Sequence, residues 1–168
     1  MELRKNGLKT CFGLKNLPNL KELYIAENQL TTLRGLENLE SLYKINARAN
    51  KIEKVKHLPQ IPSLTYLNLR ENAIQDIKVI SYIPKYFPKI EYISFTANPF
   101  ADDKGEDFKQ EVLILIMKDA RYLRMVNKSE ITNEERDEAE KEKIKREIEA
   151  EEARKAAEEE ARKAAEEG

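Results

Sequence analysis

Leu20-Lys-Glu-Leu23-Tyr-Ile25-Ala-Glu-Asn28-Gln-Leu30 is the stretch that decides the fold. Leu23 and Ile25 flank Tyr24 in the alternation of a half-buried strand, and Asn28 marks a turn before the next apolar residue. The pattern recurs in both directions. Asn6, Asn28, Asn50 and Asn72 stand at a constant spacing of 22 residues. The apolar positions keep step: Leu14, Leu36, Leu58 and Ile80 form one column, Leu17, Leu39 and Ile61 another, Leu20, Leu42 and Leu64 a third. Met1, Leu23, Ile45 and Leu67 align, as do Leu3, Ile25, Ala47 and Leu69. Beyond the asparagine come Leu8, Leu30, Ile52 and Ile74, then Cys11, Leu33, Val55 and Ile77. A further copy holds Ile90, Ile93, Phe95, Asn98 and Phe100; Asn98 lies 26 residues after Asn72, which places a four-residue insertion within residues 82–88. Pro84 and Pro88 favour helix or turn there.

A unit repeated at this period cannot bury its apolar side alone, so neighbouring coils stack around one shared core. Each coil is expected to hold a short strand, an asparagine turn and a return segment. Gly13 and Gly35 share a repeat position, which reads as a turn requirement. Met1 already occupies a strand core position and Asn6 belongs to the same coil. The chain therefore begins inside a repeat without a polar cap. A piece of a longer protein is the preferred expectation, a first strand covered by a partner the other.

After Asn98-Pro99-Phe100, residues 101–117 read as a helix with Phe108, Val112, Leu115 and Ile116 on one face. Asp102-Asp103 would open it, where negative charge suits the helix dipole. Leu123, Val126 and Ile131 continue the apolar set. From Asn133 the chain is almost wholly Glu, Lys, Arg and Ala, and Glu-Glu-Ala-Arg-Lys-Ala-Ala-Glu occurs at 151–158 and again at 159–166. Acid precedes base by four residues in Asp137–Lys141, Glu142–Arg146, Glu151–Lys155, Glu158–Arg162 and Glu159–Lys163. Each pair adds roughly 0.2–0.5 kcal/mol to a helix. An eight-residue repeat advances about 2.2 turns, so the alanines hold no straight seam for a coiled coil. A mostly solvated spacer helix about 50 Å long is expected, with Ile144 and Ile148 as the apolar pair for a docking partner. Three regions result: repeats over 1–100, a cap over 101–133 and a charged helical tail over 134–168.

The motif L-x-x-L-x-L-x-x-N-x-L resembles the leucine-rich repeat, and the 22-residue spacing is similar to the subfamily that contains a regulatory subunit of protein phosphatase 1. The resemblance covers residues 1–133. Phe108-Lys109 stands where the family's cap has an aromatic residue followed by arginine, and Met125-Val126-Asn127 replaces its apolar-Asp pair. It implies an α/β repeat: a leucine-rich-repeat solenoid arc of about five coils, the first incomplete, with a helical C-terminal cap and a long single charged helix. It also implies a structural ladder of Asn6, Asn28, Asn50, Asn72 and Asn98, each amide bonding backbone in its turn. Asparagine suits this because its amide both donates and accepts. The cap followed by Glu134-Glu135-Arg136 resembles leucine-rich-repeat proteins of ciliary axonemes, including the radial spoke, which join short arcs to charged helices. Spliceosomal leucine-rich-repeat scaffolds have a similar short capped array, and the phosphatase regulator a longer one.

Composition narrows the chemistry. The chain carries 30 Lys+Arg and 31 Asp+Glu over 168 residues. Residues 134–168 hold 9 basic against 15 acidic residues, a net −6, leaving 21 against 16 over residues 1–133, a net +5. That excess is well short of a nucleic-acid-binding stripe, and it argues against direct nucleic-acid contact. Cys11 is alone, so no disulfide framework or thiol metal site is expected, and a reducing, cytoplasmic compartment follows; a ciliary or flagellar axoneme as the specific address is what the axonemal resemblance implies. His57 is the only histidine, which speaks against a histidine-based catalytic pair or metal site. The five glycines form no phosphate loop. The expectation is no enzyme, no cofactor, no metal, no small-molecule substrate and no membrane segment.

What remains is a surface. Strand residues between core positions point outward: Glu2, Arg4 and Lys5; Glu22, Tyr24, Ala26 and Glu27; Lys44, Asn46, Arg48 and Ala49; Tyr66, Asn68, Arg70 and Glu71; Tyr92, Ser94, Thr96 and Ala97. Arg4, Tyr24, Lys44, Asn46, Arg48, Tyr66, Asn68, Arg70 and Tyr92 are the candidate protein-contact residues, because Tyr and Arg offer large contact areas with polar ends. The functional expectation is a non-catalytic adaptor in an axonemal, radial-spoke-like assembly, its concave face holding one partner and its tail helix reaching another. A spliceosomal RNA-associated scaffold and a phosphatase regulatory subunit are the alternatives.

Overall fold

An asparagine that ends each strand sets the geometry of the whole array. In the computed structural model, which describes residues 1–53 and 58–166, Asn50 shows the pattern. Its Oδ1 accepts the Leu30 N–H of the preceding coil at 3.0 Å, while its Nδ2 donates to Ile25 O and Ala47 O at 3.0 Å and to Arg48 O at 3.4 Å. Asn28, Asn72 and Asn98 make the corresponding bonds to Leu8, Ile52 and Ile74 N–H and to paired carbonyls of their own and the preceding coil. All four are buried. The residue just before each asparagine is left-handed: Glu27, Ala49, Glu71 and Ala97 have φ of 55°, 55°, 54° and 58°. Non-glycine residues hold that conformation only where the surroundings over-determine it, and the asparagine clamp does so.

The strands β1 (Glu22–Tyr24), β2 (Lys44–Asn46), β3 (Tyr66–Asn68), β4 (Tyr92–Ser94) and β5 (Met125–Val126) pair in parallel, one beside the next; β6 (Ser129–Glu130) closes the sheet antiparallel to β5. Register follows the repeat: Leu23 faces Ile45, then Leu67, then Ile93. These four are fully buried, as are Ile25, Ala47, Leu69 and Phe95. Burying each large apolar side chain stabilises by about 1.5–3 kcal/mol, so the ladders are the main source of stability. The insertion after β3 is helical: a 3-10 helix, Ile77–Tyr82, runs into α1 (Ile83–Tyr86), with Pro84 inside its first turn. Val55 and His57 lie outside the described residues.

The first coil departs from its expected register. Met1, at a core position by alignment, is 46% exposed, and Leu3, Leu8, Leu14, Leu17 and Leu20 are only partly buried. Asn6 is exposed; its backbone N–H donates to Asn28 Oδ1 at 3.0 Å, but its side-chain amide donates to its own coil's Arg4 O at 3.1 Å. No coil lies on its other side among the described residues, so its amide has no carbonyl ladder to reach. Of the two glycines, only Gly35 is a turn requirement. Its φ is +100°, and a Cβ there would stand 2.6 Å from Phe12 N, whereas Gly13 has nothing within 4 Å and no positive φ.

The cap is not one helix over 101–117. α2 (Pro99–Asp102) is followed by a 3-10 turn, Gly105–Asp107, and by α3 (Phe108–Ile116). Gly105, at φ +54°, breaks the run, so Asp102 and Asp103 end α2 instead of opening the long cap helix. Phe95, Phe100 and Phe108 meet edge to face at centroid distances of 5.5, 5.6 and 6.5 Å and seal the last coil.

α4 (Asn133–Glu166) is about 51 Å long from its 34 residues. It is not a solitary spacer along its whole length. Thr132 and Glu135 form a reciprocal capping box, with Glu135 N–H donating to Thr132 Oγ1 at 3.1 Å and Thr132 N–H to Glu135 Oε2 at 2.8 Å. Ala139 is fully buried, Arg136 donates to Leu123 O, and Arg146 makes a bidentate pair with Glu111 of α3 at 2.8 and 3.2 Å. Beyond Arg146 the ion pairs Glu151–Lys155 at 3.4 Å and Glu159–Lys163 at 2.7 Å are internal to the helix. Ile144 and Ile148 are 51% and 53% exposed.

Candidate functional site

The outward residues of β1 to β4, and those just beyond the strand positions of each coil, form two parallel rows. The first runs Glu22, Lys44, Tyr66, Tyr92 in strand register. Lys44 Nζ sits 5.4 Å from the Tyr24 ring and 5.1 Å from the Tyr66 ring, and Tyr66 stacks on Tyr92 at 4.3 Å with 4° between planes. Cation–π contacts and stacking are worth roughly 0.5–1.5 kcal/mol each, enough to hold these side chains in place before anything binds. Burial, reinforced by Tyr92, pushes the Tyr66 phenol up to about 12, so it stays neutral and able to donate. At the row's start, Tyr24 OH donates to Glu22 Oε2 at 2.5 Å and Tyr43 OH to the other carboxylate oxygen. These two phenols hold the Glu22 carboxyl below the usual carboxylate range.

The second row carries the arginines. Arg4 pairs with Glu27, which Lys5 also reaches at 3.2 Å, and Arg48 pairs with Glu71 through two bonds of 2.8 and 3.1 Å. The arginine hydrogen bonds hold both carboxyls low. Arg70, in the same repeat position, makes no such pair among the described residues, and its Nε is buried without a hydrogen-bond partner.

Two expected contact residues are engaged with backbone instead. Asn68 is 8% exposed and its Oδ1 accepts the Arg70 N–H at 3.1 Å; it is withdrawn from the exposed set. Asn46 does the same for Arg48 N–H at 3.3 Å. A short amide at this strand position reaches the backbone two residues on, which makes these asparagines supports for the arginines. Tyr43 was not among the expected contacts; it stands in the column Lys21, Tyr43, Thr65 just before the strands, and the repeat alignment itself points to it. Lys109 was read only as a cap motif residue, yet it ties α3 to β6 and α4 through Ser129 Oγ at 3.0 Å, Glu130 O at 2.5 Å and the Glu135 carboxylate at 2.6 and 2.7 Å. Asn127 Oδ1 accepts the Phe95 N–H at 2.7 Å, docking the cap on β4.

The strand–asparagine coil with its 22-residue ladder matches, over residues 18–60, the family described as Leucine Rich repeats (2 copies). This is a leucine-rich-repeat fold. Among 21 matching chains of solved structures is one from the crystal structure of the Drosophila melanogaster SNF/U2A' complex. It superposes with a TM-score of 0.69 at 20% identity, over 83% of this chain and 78% of that one. No curated protein sequence gives a match. The leucine-rich-repeat arc has no group of three or more His, Cys, Asp or Glu placed to hold a metal ion among the described residues, and no described helix is long and apolar enough to cross a membrane. Burial pushes the Cys11 thiol up to about 11, with Glu37 adding to the effect, so at neutral pH it is not a thiolate nucleophile.

Proposed function

We propose that the chain is a non-catalytic protein-binding scaffold that holds a partner protein on the concave face of its leucine-rich-repeat arc. One observation carries this reading: the outward row Lys44, Tyr66, Tyr92 with Tyr24 is already ordered by its own stacking and cation–π contacts. Pre-ordered aromatic and arginine side chains lower the entropic cost of binding, and Tyr and Arg dominate binding hot spots. Acid and base alternate on the face, with Glu22, Glu27 and Glu71 among Arg4, Lys44 and Arg48. That mixture suits a polypeptide better than a polyanion. The outer part of α4, with Ile144 and Ile148, reaches a second protein, and the setting is cytoplasmic.

Two assemblies follow from different observations. The likeness to a chain of the SNF/U2A' complex supports a spliceosomal scaffold. The axonemal, radial-spoke-like setting rests on the resemblance of cap and tail in the sequence. Affinity capture from source-cell extract separates them, using wild type beside the double variant Arg48→Glu with Arg70→Glu. Wild type is expected to recover axonemal or splicing proteins and the double variant to lose them while keeping its melting temperature within a few degrees. Identical recoveries by both baits would remove the concave face from the reading.

A further inference from the structure

Arg4, Arg48 and Arg70 stand two residues before the asparagines of their coils. For the first two, the residue just before the next coil's asparagine is a glutamate that reaches back: Glu27 to Arg4 and Glu71 to Arg48. For Arg70 that place is held by Ala97. The backbone there is the same, with φ 58° at Ala97 against 55° at Glu27 and 54° at Glu71. The coil-to-coil hydrogen bonds also match: Ala49 N–H donates to Arg70 O beside the Arg48–Glu71 pair and Glu71 N–H to Thr96 O beside Arg70, both at 2.9 Å. Arg70 is thus set in the geometry that elsewhere holds a carboxylate, without the carboxylate. Its Nε is buried and unpartnered, while Thr96 and Ala97 are exposed, so the place above Ala97 is open to a group toward which the half-buried guanidinium can turn.

We propose that Arg70 with the open place above Ala97 is a carboxylate-binding subsite, filled by an aspartate or glutamate side chain of the partner protein. The inference rests on the concave-face reading above and names the chemistry of its central contact. A guanidinium presents a planar fork of donors that a carboxylate matches in pairs. A buried donor without a partner is costly until it is satisfied, so an acidic side chain gains both the charge pair and the missing hydrogen bond. A phosphate could meet the same fork, but Glu71 lies close enough to Arg70 to feel its charge, and Arg48 beside it is already neutralised by that glutamate. One carboxylate fits such a setting; a polyanion meets repulsion.

Ala97→Glu tests this directly, because it supplies in cis the group that the partner would bring. Glutamate is already tolerated on this backbone at positions 27 and 71, and melting curves check that the variant folds. Panning a displayed library of random peptides on the full chain is expected to select sequences that share one acidic position. Their affinity should fall at least about tenfold both for Ala97→Glu and for Arg70→Met, and change little for Lys85→Met, an exposed residue of α1 outside the strand face. Selected peptides that lack a common acidic residue, or that bind Ala97→Glu as well as wild type yet are lost on Tyr66→Ala, overturn the carboxylate subsite and leave the concave face standing. Peptides indifferent to every one of these substitutions overturn both readings. A pool with no enrichment overturns the subsite, and the capture experiment then judges the face. A single-stranded RNA of about 20 nucleotides that binds wild type and not Ala97→Glu would assign Arg70 to phosphate and end the proposal.

Discussion

Asn50 holds four backbone groups with one amide, and three of these bonds are buried where water cannot replace it. Asn50→Ala would leave the buried Leu30 N–H unsatisfied, while Ile25 O and Ala47 O each lose one of two bonds and keep those from Asn28 and Asn72; an unsatisfied buried group costs about 1–3 kcal/mol. The expected loss is at least ~1 kcal/mol in a denaturant titration. Asn6→Ala is the control: its amide is exposed and makes one bond to its own coil, so its effect should stay within about 0.5 kcal/mol. Equal losses at both positions would contradict the burial difference. The two glycines give a similar contrast. Gly35→Ala places a Cβ 2.6 Å from Phe12 N at a φ of +100°, and should cost more than ~1 kcal/mol. Gly13→Ala, in open space, should be close to neutral by thermal melting. The spacing of 22 residues puts both glycines in one column, but only the one packed against a preceding coil is constrained.

At the scale of elements, the inner half of α4 is held by weaker forces than the cap beneath it. Three buried phenylalanines seal the last coil, each contributing about 1.5–3 kcal/mol, while α4 relies on Ala139 and on exposed or half-exposed ion pairs worth about 0–1 kcal/mol each. Undocking of α4 should therefore precede unfolding of the arc. The bonds from Arg146 hold the Glu111 carboxyl below its usual value. For Glu135, burial pulls upward, but Lys109 and the Thr132 N–H outweigh it and the net shift is down. A carboxyl with a depressed folded pKa stabilises above its unfolded value and loses that contribution as pH falls through the folded one. Acidification below the normal carboxylate range should thus release α4, seen as faster hydrogen exchange of the amides at 137–146 with the strand amides still protected. At neutral pH, Glu111→Arg should produce the same release, and adding Arg146→Glu should reverse it. A double variant as labile as the single one would show that this ion pair does not hold the helix.

For the whole molecule, the core is a row of coils whose burial rises from one end. Leu3, Leu8, Leu14, Leu17 and Leu20 are partly exposed, while Leu23, Ile45, Leu67 and Ile93 are fully buried. In stacked repeats each coil is stabilised by its neighbours, so local opening should follow this gradient. Within the coils, native-state hydrogen exchange is expected to be fastest over residues 1–20 and slowest in β2, β3 and β4. Uniform protection along the array would mean that coil-to-coil stacking is not what limits opening.

Much of this was legible without coordinates, because a 22-residue interval carries both the apolar columns and the asparagines. The coil, its strand, the shared core and the outward set of Tyr and Arg follow from alternation and repetition alone, since those are local rules. The sequence determined that Arg4, Arg48 and Arg70 stand alike. Only the tertiary structure decided that two of them are neutralised by glutamates 23 residues away and the third is not, because that depends on how one coil stacks on the next. The same reason explains Asn68, whose outward alternation is right but whose amide folds back onto the Arg70 N–H. It also explains α4: composition makes it a helix, but the docking of Ala139 and Arg146 on α3 depends on where the cap places Glu111.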